Sequence, residues 1–485
     1  METIIIKALQ LILSLSILVV VHELGHFMFA RLFKTRVDKF YIFFNPRFSI
    51  FRMKKFCGKL HFKWLAKNDD NSRKKLNEKG APVLDKNGKE QDEIIPLEEL
   101  SEDNWNKYPG TTTWGIGWVP LGGYCAISGM VDETTSVKDL QKEPQPWEFR
   151  SKSTLQRLLI MVGGVLMNFV LAFFLYSVIV FKWGDNYIPI DRTPLYFGEV
   201  AHNAGFQDGD ILLSADGKHL TRYDELDLFC IIKSEEVTVL RSGQEQTLRL
   251  PEDFKLKILS SKMPFADFRQ SAVDSVIAGS FAEQSGLQSG DRIIAINEDN
   301  SSSFSAFSAL LSKAANSEVA LTVLRGDEKI NLTTKVDGDG KIGFYPLIPE
   351  VRTSDTYNIV TAIPAGFKVC FRKLAFYVLQ LRLVFTKEGM QNIGGFGAIG
   401  NMFPPQWSWP DFWNMTALLS IILGVMNLLP VPALDGGHVL FILYEIITRR
   451  KPSDKFLEKA QYIGMILLIA LMLYANGNDI LRLFN

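Results

Sequence analysis

Four long apolar runs, separated by far more polar sequence, dominate this 485-residue chain. The first begins at Ile4, reaches Val21, and resumes beyond a polar interruption at His22–His26 in Phe27, Met28, Phe29 and Phe33. An unbroken helix from Ile4 to Phe33 would measure about 45 Å at ~1.5 Å per residue, longer than a ~30 Å hydrocarbon core. Lys7 ahead of an apolar stretch imitates a signal peptide, yet no small-residue cleavage site follows and the apolar character continues, so the segment is expected to be a retained helix. The second run, Leu155 to Phe181, contains Gly163 and Gly164, which would let another helix approach closely. The third, 412–448, is interrupted by NLLPVPALDGGH from Asn427 to His438, where proline and glycine stop a helix. Non-helical backbone at membrane depth is tolerated only where protein or a water-filled cavity satisfies it, so this break points to a site. The fourth run covers 456–475. Together these patterns predict an α-helical membrane protein with four transmembrane helices.

The stretches between the runs read differently. Residues 1–66 hold the first helix followed by short strands, with alternation in FYIFF, FSIFRM and LHFKW. A polar insert spans 67–110; its DKNGKE, Asp85 to Glu90, superficially resembles a calcium loop but lacks the alternating oxygen ligands, and a turn is expected there. Residues 111–131 are glycine-rich and β-prone, and predict a re-entrant hairpin dipping toward the membrane. Gly115, Gly117, Gly122 and Gly123 would permit tight turns and close backbone approach, and a plain surface hairpin is the alternative. The second run, with its flanks, occupies 150–182. Beyond it AHNAGFQDGDILLSADGK, from Ala201, lines up with AEQSGLQSGDRIIAINED, from Ala282, so that Gly209 and Asp210 match Gly290 and Asp291. Two copies of one small α+β domain are implied, at 190–262 and 263–348. The strand after each GD pair resembles PDZ domains, which bind extended peptides by strand addition. Neither copy shows the glycine-flanked apolar loop that receives a peptide carboxylate. Peptide binding and steric filtering of bulky outer domains both remain open as roles. Residues 360–411 follow, with an amphipathic helix at Ile363–Phe385 suited to the membrane surface and a glycine-rich loop at Thr386–Phe403.

Charge adds orientation rather than a partner. Basic and acidic residues balance at 53 each, so no global field favours nucleic acid. Locally, Arg31, Lys34, Arg36 and Lys39 follow the first run, Arg150, Lys152 and Arg157 precede the second, and Arg449, Arg450 and Lys451 link the third to the fourth. By the positive-inside rule these places are cytoplasmic, which puts both termini and the repeated domains on the outer side. Cys57, Cys125, Cys230 and Cys370 are widely spaced and imply neither disulfides nor a thiolate metal site.

The candidate chemistry lies in the interruption of the first run. In HELGH, His22 and His26 stand one turn apart on one helical face and can share a zinc ion, with Glu23 placed to act on a water beside it. A catalytic zinc generally takes three protein ligands. Asp435, in the broken third segment at matching depth, is the preferred third ligand, and His438, about one turn on, is its rival. Asn427, just before the break, can donate to and accept from a peptide backbone, or it can cap the helix end.

HELGH in a first transmembrane helix, NLLPVPALDGG in a third, tandem PDZ-like repeats between the second and third, and a glycine-rich β-loop before the second resemble the site-2 protease family, specifically its RseP type. The resemblance implies an intramembrane zinc endopeptidase of a bacterial inner membrane, with His22, His26 and Asp435 as metal ligands and Glu23 as general base. It also implies that Asn427 and the loop around Gly115, Gly117, Gly122 and Gly123 hold an unwound substrate. The implied substrates are single-span membrane proteins already shortened outside, such as anti-sigma factors, and remnant signal peptides. Partners would be such substrates and membrane lipid, not nucleic acid. Two other readings are a non-enzymatic membrane scaffold and a membrane-anchored peptidase of soluble substrates. Glu23 beside an open ligand position opposes the first, and a catalytic helix inside an apolar segment opposes the second.

Overall fold

The first apolar run contains neither proline nor glycine before Gly25, and it forms one continuous helix, α1, from Glu2 to Leu32. The computed structural model describes residues 2–68, 72–74, 83, 92–120, 122–130, 143–261, 264–349, 353–384 and 394–484; Asp85–Glu90 lies outside them. The described chain divides into two units, Met1–Lys182 with Asn358–Asn485, and Trp183–Tyr357.

In the first unit α1 is joined by α2 (Thr154–Trp183), α3 (Ile359–Val384), α4 (Trp409–Leu428), α5 (Asp435–Thr448) and α6 (Asp454–Phe484). Among the described residues four helices are long and apolar enough to cross a membrane: α1, α2, α4 and the Phe456–Leu481 part of α6. They carry large apolar side chains outward, Ile4, Leu155, Phe174 and Ile463 among them. That is stable in hydrocarbon and costly in water. The third run is divided, as its prolines require, into α4 and α5. The amphipathic stretch forms α3, whose Ile359, Ile363, Phe367 and Phe371 are exposed, while Gly366 meets the α2 backbone at Ser177 so closely that a Cβ would not fit. The glycine-rich stretch expected to be a loop contains a short helix, Phe396–Asn401, held by bonds from its backbone N–H groups to Asp479 and Asn476.

Strands β1 (Val37–Ile42), β2 (Phe48–Phe56), β3 (Lys59–Lys67), β4 (Thr113–Ile116) and β5 (Tyr124–Ile127) form one sheet in the order β3-β2-β4-β1-β5. β2 and β3 are a hairpin turned at Cys57 and Gly58, both with positive φ as a two-residue turn of this kind requires. The hairpin expected at 111–131 is not formed. β4 lies parallel to β1, β5 lies antiparallel to it, and β1 separates them. A strand delivered straight from α1 has two free edges, and the segment from β4 to β5 takes both of them. Its connection passes close over the end of β1, where a Cβ on Gly123 would stand 2.5 Å from the Tyr41 carbonyl oxygen and one on Gly117 2.5 Å from that of Phe43. The glycines therefore permit the crossing. β5 is left as an edge.

The second unit is a duplication at atomic detail. Strands Lys218–His219, Ile211–Ala215, Glu236–Arg241 and Gln244–Arg249 form one sheet in that spatial order. Asp299–Asn300, Arg292–Ile296, Glu318–Arg325 and Glu328–Lys335 repeat it. Each copy has its own buried core, around Phe197, Phe206 and Ile231 in one and Phe307, Leu321 and Val323 in the other. The aligned aspartates explain themselves: Asp210 takes a two-pronged bond from Arg241 at 2.8 and 2.7 Å, and Asp291 takes one from Arg325 at 2.7 and 2.7 Å. Burial pushes the Asp291 carboxyl up, but the Arg325 guanidinium and the Gln288 N–H outweigh that and hold it below the usual carboxylate range. Ala266–Asp267 pairs with Tyr196–Phe197, so the pairing of the first copy extends past residue 262.

Candidate active site

Local sequence dictates how the pieces meet. α1 and α2 cross with backbones in contact, since a Cβ on Gly25 would stand 2.7 Å from the Gly163 carbonyl carbon and 2.9 Å from Gly164 Cα. The imidazoles of His22 and His26 lie directly on Gly164, where a Cβ would come within 2.7 Å of His22 Cε1 and nearer still to His26 Nε2. A larger residue at any of these positions would push the histidine helix away.

The third run supplies the carboxylate. Leu429 is extended, Ala433 adopts φ 77°, and the chain folds back before α5 begins at Asp435. A Cβ on Gly437 would stand 2.6 Å from the Val431 carbonyl oxygen, so the tight return needs glycine there. The result places Asp435 Oδ2 3.1 Å from His22 Nε2 and 3.3 Å from His26 Nε2, with the two imidazole nitrogens 3.2 Å apart. Among the described residues this is the one group of three His, Cys, Asp or Glu residues with converging ligand atoms.

The donor set fits a metal ion. A tetrahedral zinc with bonds of ~2.0–2.1 Å holds its ligand atoms about 3.3 Å apart, close to the observed separations. Asp435 Oδ2 is buried and accepts no hydrogen bond. An orphaned carboxylate oxygen away from water is costly unless a cation faces it.

Neighbouring groups on α2 hold both histidines. His26 Nδ1 lies 2.9 Å from the Ile160 carbonyl oxygen, to which an Nδ1–H donates, and His22 Nδ1 lies 3.0 Å from the Asn168 carboxamide. Asn427 Nδ2 stands 3.3 Å from His22 Nε2. Glu23 accepts a hydrogen bond from the Cys125 backbone in β5. A cavity of about 830 Å³ opens onto His22, Glu23, His26 and Asp435, with Tyr124 and Cys125 of the β5 edge on one wall.

His438 is on another wall, 2.9 Å from Gln461 and outside the convergent trio, so it is not the third ligand of this arrangement. Of the four glycines singled out by sequence, Gly123 lines the cavity. Gly115, Gly117 and Gly122 instead pack against Tyr41, Phe43 and Phe44. Asn168 was not foreseen. Its signal was present, since an amide in the middle of an apolar run is expensive and marks a functional position.

A histidine pair and glutamate on one spanning helix, completed by a carboxylate from a broken one, define a membrane metalloprotease. Comparison with known proteins places the chain within that class. The model of Peptidase family M50 matches residues 10–60 and 101–471, and the chain belongs to that family, the site-2 proteases. The unmatched interval, 61–100, contains most of the polar insert. Similar proteins include the regulator of sigma E protease of Haemophilus influenzae, 27% identical over 77% of this chain and 88% of that one. The regulator of sigma-E protease RseP of Escherichia coli is 27% identical over 97% of this chain and 98% of its own length. A Vibrio cholerae protein whose name includes the words zinc metalloprotease is 25% identical over 97% and 98%.

Proposed function

We propose that this metalloprotease holds zinc through His22, His26 and Asp435 and hydrolyses peptide bonds inside the membrane spans of single-span proteins already trimmed on their outer side. The observation that carries this reading is the convergence of the trio, Glu23 and the β5 edge on one cavity within the helical membrane unit. The zinc names of relatives add support for the metal.

Zinc in such a site acts as a Lewis acid, polarising a carbonyl and bringing the pKa of water toward ~7. Glu23 is the base that takes the proton from the attacking water and returns it to the amide nitrogen as the C–N bond breaks. A spanning helix hides its peptide bonds in internal hydrogen bonds, so it must become extended before water can attack. The edge strand β5 offers replacement bonds by strand addition on the wall of the cavity that holds His22, His26, Asp435 and Glu23. Asn427 presents a carboxamide at the ligand face of His22, where it can bind the scissile peptide or its developing oxyanion. Gly123, with Gly115, Gly117 and Gly122 behind it, keeps that wall slim.

The sigma-E regulator names of relatives favour anti-sigma factors as substrates, and remnant signal peptides suit the same site. Basic residues near the helix ends support a bacterial inner-membrane orientation with both termini and the repeated unit periplasmic and the metal toward the cytoplasmic side. The repeated PDZ-like domains then act as a size filter or as peptide binders. A reporter span expressed with the intact chain should be cut, and Glu23→Gln should leave it whole while zinc is retained. Undiminished cutting by that variant would remove Glu23 from the chemistry.

A further inference from the structure

Asn168 is the least expected residue of the membrane unit: fully buried in α2, one turn beyond Gly164, with a carboxamide oxygen that has no hydrogen-bond partner. Its amide nitrogen stands 3.0 Å from His22 Nδ1. Its backbone carbonyl accepts a 2.7 Å bond from Ser420 Oγ of α4, which anchors this turn of α2. The tautomer of His22 turns these facts into an assignment. His22 Nε2 faces Asp435 and His26, so it is the ligating atom, and a ligating imidazole nitrogen carries no proton. The ring hydrogen is then on Nδ1, where it needs an acceptor. A half-turn of the carboxamide exchanges its nitrogen for the oxygen that is otherwise orphaned, and supplies one.

We infer that Asn168 is a positioning residue for the metal site, whose carboxamide oxygen accepts the His22 Nδ1 proton and thereby fixes both the tautomer and the ring orientation in which Nε2 meets the ion. His26 is braced in the same manner by the Ile160 carbonyl oxygen, also from α2. That acceptor is backbone and no substitution removes it. At His22 the acceptor is a side chain, so the whole tautomer lock rests on one residue. Outer partners of this kind typically account for a 10- to 100-fold share of metal affinity.

This inference rests on the zinc site proposed above, and the test separates the two. In the full-length Glu23→Gln protein, purified in detergent so that turnover plays no part, zinc affinity is measured by competition with a chromophoric chelator, alongside the absorption of the cobalt-substituted form. Asn168→Leu should weaken zinc binding about 10- to 100-fold and alter the cobalt spectrum, whereas Asn168→Asp, which keeps an acceptor oxygen, should stay within about threefold of the parent. A residue that merely packs helices gives the reverse order, because leucine suits an apolar interior and aspartate does not. Asn168→Leu binding as tightly as the parent overturns the assignment. So does a tenfold loss in Asn168→Asp, which decides the matter even where the leucine variant does not fold. A parent protein that binds no zinc refutes the site itself instead.

Discussion

Replacing Gly164 with alanine probes the point where helix packing and metal geometry are one constraint. The new Cβ would stand 2.7 Å from His22 Cε1 and 2.9 Å from His26 Cδ2, whereas ordinary contact begins near 3.4 Å, and at His26 Nε2 the shortfall is greater still. The rings or the helices must move by at least about 0.5–0.7 Å, against a tolerance of about ±0.2 Å in metal–ligand distance. Moving the helices apart would instead open the close packing of α1 and α2 at Gly25 and Gly163. Overpacking of this kind costs about 1–3 kcal/mol, and the cheaper outcome is displacement of one imidazole. The expected result is a loss of zinc affinity of 100-fold or about that, with helix content and expression little changed. Zinc is counted by mass spectrometry of metals in the purified protein, and affinity by chelator competition. Gly163→Ala is the companion: its Cβ would meet the Phe29 ring at 2.6 Å, an end that can swing aside, and the Gly25 carbonyl oxygen at 2.9 Å, so stability should fall more than zinc binding. An alanine at 164 that leaves zinc affinity and turnover at parental values would refute the packing argument.

Three further outcomes follow from named contacts. Asp435→Ala should release the metal whereas His438→Ala should keep it, read as bound zinc per chain. Retention in the Asp435 variant would reopen the ligand set. Glu445→Leu strands Arg157, which donates to Glu445 at 2.6 Å between α2 and α5 with both side chains mostly buried. Loss of one partner of a buried pair costs about 3–5 kcal/mol, visible as a lower melting temperature in detergent. Asp291 is held below its ordinary value of 3.8 in the folded protein. Its contribution to stability is therefore full above that ordinary value and is lost as pH falls through the lower folded one. The protection factors of the amides in strand Glu318–Arg325 should fall as pH drops below the ordinary carboxylate value, and Arg325→Met, which removes the main group that depresses the Asp291 carboxyl, should flatten that dependence.

The apolar helices and most of the convergent His22–His26–Asp435 trio were legible because each is written locally. A run of apolar residues sets a helix, HELGH sets two imidazoles on one face, and Pro430, Pro432, Gly436 and Gly437 break the third run where Asp435 turns inward. The duplication was legible for the same reason, since two GD pairs in like surroundings need no partner to be noticed. What escaped depends on pairing over distance. Thr113–Ile116 and Tyr124–Ile127 alternate like the arms of a hairpin, but the two free edges of Val37–Ile42 compete for both and win. Asn168 escaped because its meaning lies in the orientation of a histidine 146 positions away. Gly115, Gly117 and Gly122 are not among the residues lining the cavity and meet the ring and backbone atoms of Tyr41, Phe43 and Phe44, a packing that only distant pairing reveals.

The most direct test of intramembrane zinc proteolysis is to map the scission point. Purified protein, reconstituted with a single-span substrate that lacks its outer domain, is incubated with and without a zinc chelator, and the new termini are read by mass spectrometry. The expected result is a single cut within the span, lost on chelation and in Glu23→Gln. Cuts confined to the soluble flanks, or cuts within the span that persist with zinc removed, would contradict it.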